Sequence, residues 1–586
     1  MLERFLRRVE FSSYEDFIAN YKLDVPEGFN FGFDVVDAWA EAAPKKRALL
    51  WCDDHGGEAD FTFSDIRALS NRTANFFARI GIKKGDFVML ILKQRYEYWI
   101  CAVALHKLGA VVIPATSQLT KKDIAYRNNA AGVSAIVALA DAELLANIRA
   151  ALPESPTVRH VVCVDADTAN NADAAAASAA VSATAAAPAS ASAAADPIAG
   201  DFLDFHAEIA KCPDTFARPE GDAANKVSDF FLMYFTSGTT GMPKMVMHDY
   251  SYPLGHITTA KYWQRVVDGG LHLTISDSGW AKFGWGKIYG QWIAGAAIFA
   301  YDMDRFVPGR MLEVMQKYPI ATFCAPPTMY RFMIQEDVRA YDLSSIVRYS
   351  TAGEPLNPEV FNQWKAMTGL GIIEGFGQSE SSVLLANFEW FPPKPGSMGK
   401  PSPLYDIAIV NEDFEVCEEG IEGRIVVRGV DRYVPPGLFQ FYYKDEALTA
   451  EAWKNGCYNT GDVAWMDSDG YYWFVGRNDD IIKCSGYRIG PFEVESALLE
   501  HAAVVECAVT AAPDPIRGQI VKATVVLARN YTASEGLVKE LQDHVKKVTA
   551  PYKYPRLVEF VDELPKTIGG KIKRGEIRAE NQKQQS

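Results

Sequence analysis

An unbroken apolar run, Phe230 to Phe235, passes directly into Thr236-Ser237-Gly238-Thr239-Thr240-Gly241-Met242-Pro243-Lys244. The run reads as a buried strand. A buried strand that empties into glycines, hydroxyls and one lysine confines the chain to folds in which a strand end presents a polyphosphate loop. The glycines let backbone N–H groups approach closely. The Ser and Thr hydroxyls donate to phosphate oxygens, and Lys244 neutralises charge. The spacing is not the G-x-x-x-x-G-K-S/T of the P-loop NTPases. Only two residues separate Gly238 from Gly241, a proline precedes the lysine, and Met245 follows it.

A chain of 586 residues is too long for one ordinary core, which predicts two or more domains. Residues 30 to 160 alternate strand and helix patterns. A helical pattern runs from Ile66 to Ile80, Phe87 to Leu92 reads as a strand, Glu97 to Leu108 as a helix, and Ala110 to Pro114 as another strand. This βαβ rhythm predicts a layered α/β domain. Trp99 to Ala115 is interrupted by His106 and Lys107, so it fits a buried helix and strand and not a membrane span. Residues 165–196 are almost entirely Ala, Ser, Thr, Asn and Asp, with no apolar stripe to bury, and are expected to be a mobile surface insertion. Beyond Ile481, a helical pattern at Phe492 to Leu499 and strands near Val504 to Val509 and Lys522 to Leu527 read as a small α+β domain.

The net charge of −15 argues against nucleic acid or an anionic membrane as the main partner. An anionic nucleotide must then be held by local donors. Nine dispersed cysteines, without a C-x-x-C pair, read as reduced thiols, and a cytoplasmic location is expected. The nine histidines contain no H-E-x-x-H, so zinc is not expected. Met1 to Arg8 is basic but leads into no apolar core, so no signal peptide is expected, with an organellar targeting peptide as the second reading.

Further stretches follow in order: Ser350-Thr351-Ala352-Gly353-Glu354-Pro355, Glu374-Gly375-Phe376-Gly377-Gln378-Ser379-Glu380, Tyr458-Asn459-Thr460-Gly461-Asp462, Gly476-Arg477-Asn478-Asp479-Asp480, and Gly569-Gly570-Lys571. An aspartate suits two vicinal hydroxyl donors. A carboxylate beside a hydroxyl suits a hard divalent ion whose other ligands come from phosphates and water.

Together with the 236–244 loop, these stretches resemble the adenylate-forming superfamily of acyl-CoA and aryl-CoA synthetases, peptide-synthetase adenylation domains and luciferases. The resemblance runs from about residue 30 to Lys571. It is strongest to the medium-chain acyl-CoA synthetases, through the Glu374 to Gln378 run, Ser276 to Lys282, and Ala550 to Arg556. It implies a large layered α/β N-terminal domain over residues 1–477, a hinge at 478–480, and a mobile α+β domain over 481–586. It implies ATP, Mg2+ and coenzyme A as cofactors, a small carboxylic acid as substrate, and a homo-oligomer as one assembly.

By the same resemblance, Thr236, Ser237, Gly238, Thr239, Thr240, Gly241, Met242, Pro243 and Lys244 cradle the ATP phosphates. Gly353, Glu354, Pro355 and the run Glu374, Gly375, Phe376, Gly377, Gln378, Ser379 frame the adenosine. Asp462 and Arg477 hold the ribose, Glu380 with Thr236 binds the metal, and Asp479 is the hinge. Ser485, Gly486, Tyr487 and Arg488 approach coenzyme A, with Lys546 and Lys547 as further partners for its phosphates. Trp280 and Gly377 wall the acyl pocket. Acetate-specific members carry a tryptophan at the position of Gly377, so glycine there is expected to open room for a longer acid. Lys571 is the catalytic lysine.

The reaction implied is attack of a carboxylate on the α-phosphate of ATP, then transfer of the acyl group to a thiol. Both first reactants are anions, so positioning and charge stabilisation carry the step. Alternatives are an adenylating enzyme that serves a carrier protein, a short-chain CoA ligase, and an idle binding protein on the same fold. The last is disfavoured because Lys571, Glu380 and Asp462 are all present.

Overall fold

The computed structural model describes residues 1–164, 202–236, 242–484, 487–514, 517–566 and 572–583. The 165–196 insertion, Ser237 to Gly241, Ser485, Gly486 and Lys571 lie outside the described residues. Fold class is as expected: layered α/β sheets in the N-terminal part and a smaller α+β domain at the C-terminus.

The elements that carry the site are strands β1 (Phe230–Thr236), β2 (Lys244–Asp249), β3 (Ile372–Phe376), β4 (Phe441–Tyr442), β5 (Cys457–Met466) and β6 (Tyr472–Arg477). Helices α1 (Ala281–Gly286), α2 (Pro491–Leu499) and α3 (Arg574–Lys583) complete the set.

One sheet has eight strands among the described residues. It places β4, β2 and β1 beside Val111–Pro114, Phe87–Ile91, Val133–Leu139 and two further strands. The second sheet has thirteen. Its parallel half, which ends in Arg348–Thr351 and β3, continues through antiparallel strands to β6 and β5. Parallel strands are buried on both faces, which explains why Phe87–Ile91 and Val133–Leu139 read as continuous apolar runs with every residue buried.

Local signals place the elements. Helix Phe63–Arg79 starts on a capping box between Thr62 and Asp65, so it begins before the Ile66 read from its apolar stripe. Helix Glu97–Leu108 ends on Gly109 at φ 79°, the left-handed conformation that glycine adopts without strain. It is buried all round and tied down by a buried ion pair between Lys107 and Asp37.

The C-terminal part has a core of its own, built on Ile482, Val494, Leu498, Val509, Val521, Leu541 and Val545. Its two long strands, Val504–Asp514 and Gly518–Leu527, form one antiparallel ladder and extend beyond the expected segments. The extra residues, such as Ala511 opposite Val521 and Ala512 opposite Ile520, alternate less clearly in sequence and are held by the ladder itself.

A candidate adenylate-forming site

The phosphate loop leaves β1 at Thr236 and returns on β2 at Lys244, and the two residues face each other in register across the hairpin. The return is pinned by Tyr126, whose hydroxyl donates to the Pro243 carbonyl at 3.1 Å. Met242 is 45 % exposed, so the loop end is open to solvent. The Lys244 ammonium lies over the ring of Tyr442, 5.1 Å from its centroid.

The segment after β3 is bound to this hairpin. His248, buried on β2, donates from Nε2 to the Ser379 carbonyl at 2.8 Å. Burial pushes its pKa down to about 3, so the ring is neutral and a donor of one proton only. The Glu380 carbonyl accepts from the backbone of Phe439 at 2.7 Å, and its carboxylate accepts from the Tyr442 hydroxyl at 2.8 Å. Burial, then the neighbouring Glu380 charge, holds that phenol protonated.

Asp462 on β5 and Arg477 on β6 are register partners, and their side chains pair at 3.3 Å. Gln378 donates to Asp462 Oδ2 at 2.5 Å and to the Thr460 carbonyl at 2.8 Å, while Tyr458 donates to Gln378 Oε1 at 2.5 Å. A side chain at Gly461, φ 73°, would meet the Arg477 guanidinium at 2.9 Å. Four residues from three distant stretches thus form one connected network, with Asp462 4 % exposed beneath it.

The 353–355 loop lies at the end of Arg348–Thr351. Gly353 takes φ 101°, a conformation that costs other residues strain. Thr328 donates to Glu354 at 2.9 Å, and the Leu356 amide donates to Glu374 at 3.2 Å. Glu374 therefore supports this loop from beneath. It is buried, and desolvation pushes its pKa up to about 8.

Gly375 and Gly377 are filled from behind. A Cβ at Gly375 would lie 2.5 Å from the indole of Trp263, and one at Gly377 would lie 2.3 Å from that of Trp285. The two indoles meet edge to face, 6.2 Å apart, and Trp285 donates to the Ser381 carbonyl at 3.1 Å. The absent side chain at Gly377 is therefore what lets the Trp285 ring lie against this turn. Trp280 is half-buried at the N-cap of α1. Lys282, also on α1, donates to the Ala352 carbonyl at 3.0 Å.

At the proposed hinge, Asp479 lies 3.8 Å from Arg477 and 3.9 Å from Arg578, and Asp480 is ion-paired with Arg578. Arg574, three residues past Lys571, is bidentate on Glu495, and Glu354 adds to the field that raises its pKa. Tyr487 is 52 % exposed and stacks on Tyr552 at 4.2 Å, with Arg488 exposed beside it. Lys546 lies over the Tyr554 ring at 4.4 Å, and Lys547 is exposed.

Sequence reasoning passed over His248, Tyr442, Tyr458, Trp263 and Tyr552. The last sits in the Ala550 to Arg556 run. Tyr458 opens the Tyr458 to Asp462 stretch but was given no role there, and for His248 and Tyr442 on strands and Trp263 on the helix Thr258–Gln264 the only signal is a ring among apolar neighbours, which reads equally as core.

Residues 36–443 match the AMP-binding enzyme family, and 493–571 match the AMP-binding enzyme C-terminal domain. The rat mitochondrial acyl-coenzyme A synthetase ACSM3 is 39 % identical over 578 residues, covering 97 % of this chain and 93 % of that protein. The human mitochondrial acyl-coenzyme A synthetase ACSM4 is 40 % identical, covering 94 % and 91 %. Among solved structures, the anthranilate CoA ligase AuaEII with anthranoyl-AMP aligns with a TM-score of 0.82 at 25 % identity, over 95 % of this chain and 98 % of that one. The mitochondrial relatives overturn the cytoplasmic location expected from the thiols. Nine unpaired cysteines report a reducing compartment, and the cytosol is not the only one. Matched over both of its parts and nearly its whole length, the chain belongs to the family of AMP-binding enzymes.

Proposed function

We infer that this chain is an AMP-forming acyl-coenzyme A synthetase, probed best as a mitochondrial enzyme of medium-chain fatty or aryl acids. It joins a carboxylic acid to coenzyme A through an acyl-adenylate, releasing pyrophosphate and AMP. The observation that carries the reading is the convergence of distant stretches on the segment Gln378 to Glu380: Arg477, Asp462, Gln378 and Tyr458 in one network, and Glu380, Tyr442 and Lys244 in another.

In this reading Asp462 accepts from the ribose hydroxyls, with Arg477 and Gln378 holding its carboxylate in place. The backbone from Gly353 to Pro355 and from Gly375 to Ser379 frames the adenine. Lys244 and the loop hydroxyls neutralise the departing pyrophosphate. The donor set suits magnesium. Glu380 and Thr236 offer hard oxygens, and the described residues hold no cluster of three or more His, Cys, Asp or Glu, so nucleotide phosphates and water must complete the shell. Such an ion supplies charge neutralisation at the phosphates.

Lys571 is proposed to bring the acid carboxylate to the α-phosphate. Arg574, three residues further on, is bidentate on Glu495 and lies within the field of Glu354, which puts the start of α3 near the 353–355 loop. Tyr487, Arg488 and Tyr552 form an aromatic and cationic surface suited to the nucleotide end of coenzyme A. They stand in solvent, so thiol attack requires that domain to turn about 478–480.

The paired indoles of Trp263 and Trp285, with Trp280 at the start of the helix that carries Trp285, favour an apolar acid. Each buried methylene adds about 0.8 kcal/mol, or about fourfold in affinity. The test is a panel of C2 to C12 fatty acids and benzoate with ATP, Mg2+ and coenzyme A, scored for pyrophosphate and thioester. Thioester formation that favours medium-chain acids or benzoate over acetate supports the reading. Acid-dependent pyrophosphate exchange without any thioester would redirect it to an enzyme that serves another acceptor.

A further inference from the structure

We propose that Tyr442 is a positioning residue for the phosphate end of the cleft, holding Glu380 and Lys244 apart and each in place. Its hydroxyl donates to Glu380 Oε1 at 2.8 Å, and its ring face receives Lys244 Nζ 5.1 Å from the centroid. The inference deepens the synthetase reading and rests on Glu380 and Lys244 serving the metal and the phosphates.

A carboxylate and an ammonium that share one aromatic neighbour attract each other. If they closed into a direct pair, each would cancel the charge the other residue needs for its own task. In this fold the phenol gives each a different partner. The ammonium takes the electron-rich ring face, and the carboxylate takes a charge-assisted hydrogen bond on one oxygen. The second oxygen, Oε2, is left for a cation.

The ring is rigidly placed. Tyr442 is 5 % exposed and pairs with Val246 on β2, the strand that begins at Lys244. Its amide donates to Thr449 Oγ1 at 3.0 Å, and the Phe439 ring packs against it at 4.9 Å. The Glu380 backbone is fixed separately by Phe439, and the Ser379 carbonyl by His248. The carboxylate therefore swings only about its own side-chain torsions, and the phenol removes that freedom. An outer partner of a metal-ligating carboxylate acts in this way, and its loss weakens metal binding by about ten- to a hundredfold.

The test separates hydroxyl from ring. Tyr442→Phe keeps the ring and removes the donor, and Tyr442→Leu removes both. Mn2+ serves as the probe, its binding measured by electron paramagnetic resonance on full-length protein saturated with a non-hydrolysable ATP analogue. Tyr442→Phe should weaken Mn2+ binding by about tenfold and leave nucleotide affinity unchanged. Tyr442→Leu should weaken both. Glu380→Gln is the reference, and adding Tyr442→Phe to it should change nothing further. Glu380→Asp reads the same contact from the other side, because its shorter carboxylate leaves the phenol and should lose Mn2+ to a similar extent. Unchanged Mn2+ binding in Tyr442→Phe, with loss in Glu380→Gln, overturns the inference and leaves the role of Glu380 standing. Unchanged binding in both removes Glu380 from the metal site, and the inference with it.

Discussion

Arg578, on the last described helix, is ion-paired with Asp480, three residues beyond the arginine that faces Asp462. Its second acidic neighbour is Asp479, 3.9 Å away. The final helix therefore grips the segment about which the small domain is proposed to turn. Arg578→Ala should loosen that grip. Partly buried ion pairs contribute about 1 kcal/mol or less when one side reaches solvent, so a loss of about threefold in pyrophosphate exchange is expected. Limited proteolysis within 478–483 should quicken, while melting of the N-terminal part stays unchanged.

Lys571→Ala should abolish acid-dependent exchange of pyrophosphate into ATP. Thioester formation from supplied acyl-adenylate should persist, because the second step asks nothing of that lysine. Rapid quench measurement of the two half-reactions checks this. Exchange at the wild-type rate would remove Lys571 from its proposed role.

Asp462→Ala should raise the Michaelis constant for ATP by about ten- to a hundredfold, the worth of a hydrogen bond to a charged group. It also removes the carboxylate that Arg477 and Gln378 share, leaving them only the Thr460 carbonyl in common. Steady-state kinetics at saturating acid give the value directly.

Gly377→Ala places a methyl 2.3 Å from Trp285 and 2.7 Å from the Ser382 carbonyl. Overpacking of this kind costs about 1–3 kcal/mol, visible as a lower melting temperature. Trp285→Ala, in contrast, should vacate the space and shift preference toward longer or wider acids in the substrate panel. If the panel profile stays unchanged, this ring does not border the acyl chain.

Glu374 sets a pH dependence. Its folded pKa is pushed up to about 8 by burial, above its value in an unfolded chain. Between those values the folded state holds the extra proton, so stability falls as pH rises through this window. Glu374→Gln removes the titration. Its melting temperature relative to wild type should therefore climb between pH 5 and pH 8, as followed by circular dichroism.

The parts of this molecule that were legible in sequence are those where one residue type has one reason. The Phe230–Thr236 strand and the Glu97–Leu108 helix each carried a local signal, and each sits where that signal put it, while Asp462 and Arg477, drawn from two separate stretches, lie side by side. Gly377 was legible only as an absent side chain. What fills the gap is Trp285, ninety-two residues earlier in the chain, and no local pattern connects them. Tyr442 was hidden for a related reason, since its partner Glu380 lies sixty-two residues earlier, in the turn after a strand of the other sheet. Strand extent in the small domain was underestimated because pairing, and not propensity, sustains the ladder through Asp514.

Arg477 is the last residue of a strand built into the thirteen-stranded sheet, and its carbonyl receives the amides of Asp480 and Ile481. In the proposed reading, the sheet ends at a nucleotide-contacting side chain, with no spacer before the part that turns. Any swivel of the small lobe is then geared to the grip on the sugar. Turning the page from the first half-reaction to the second would loosen AMP by the same stroke that admits the thiol.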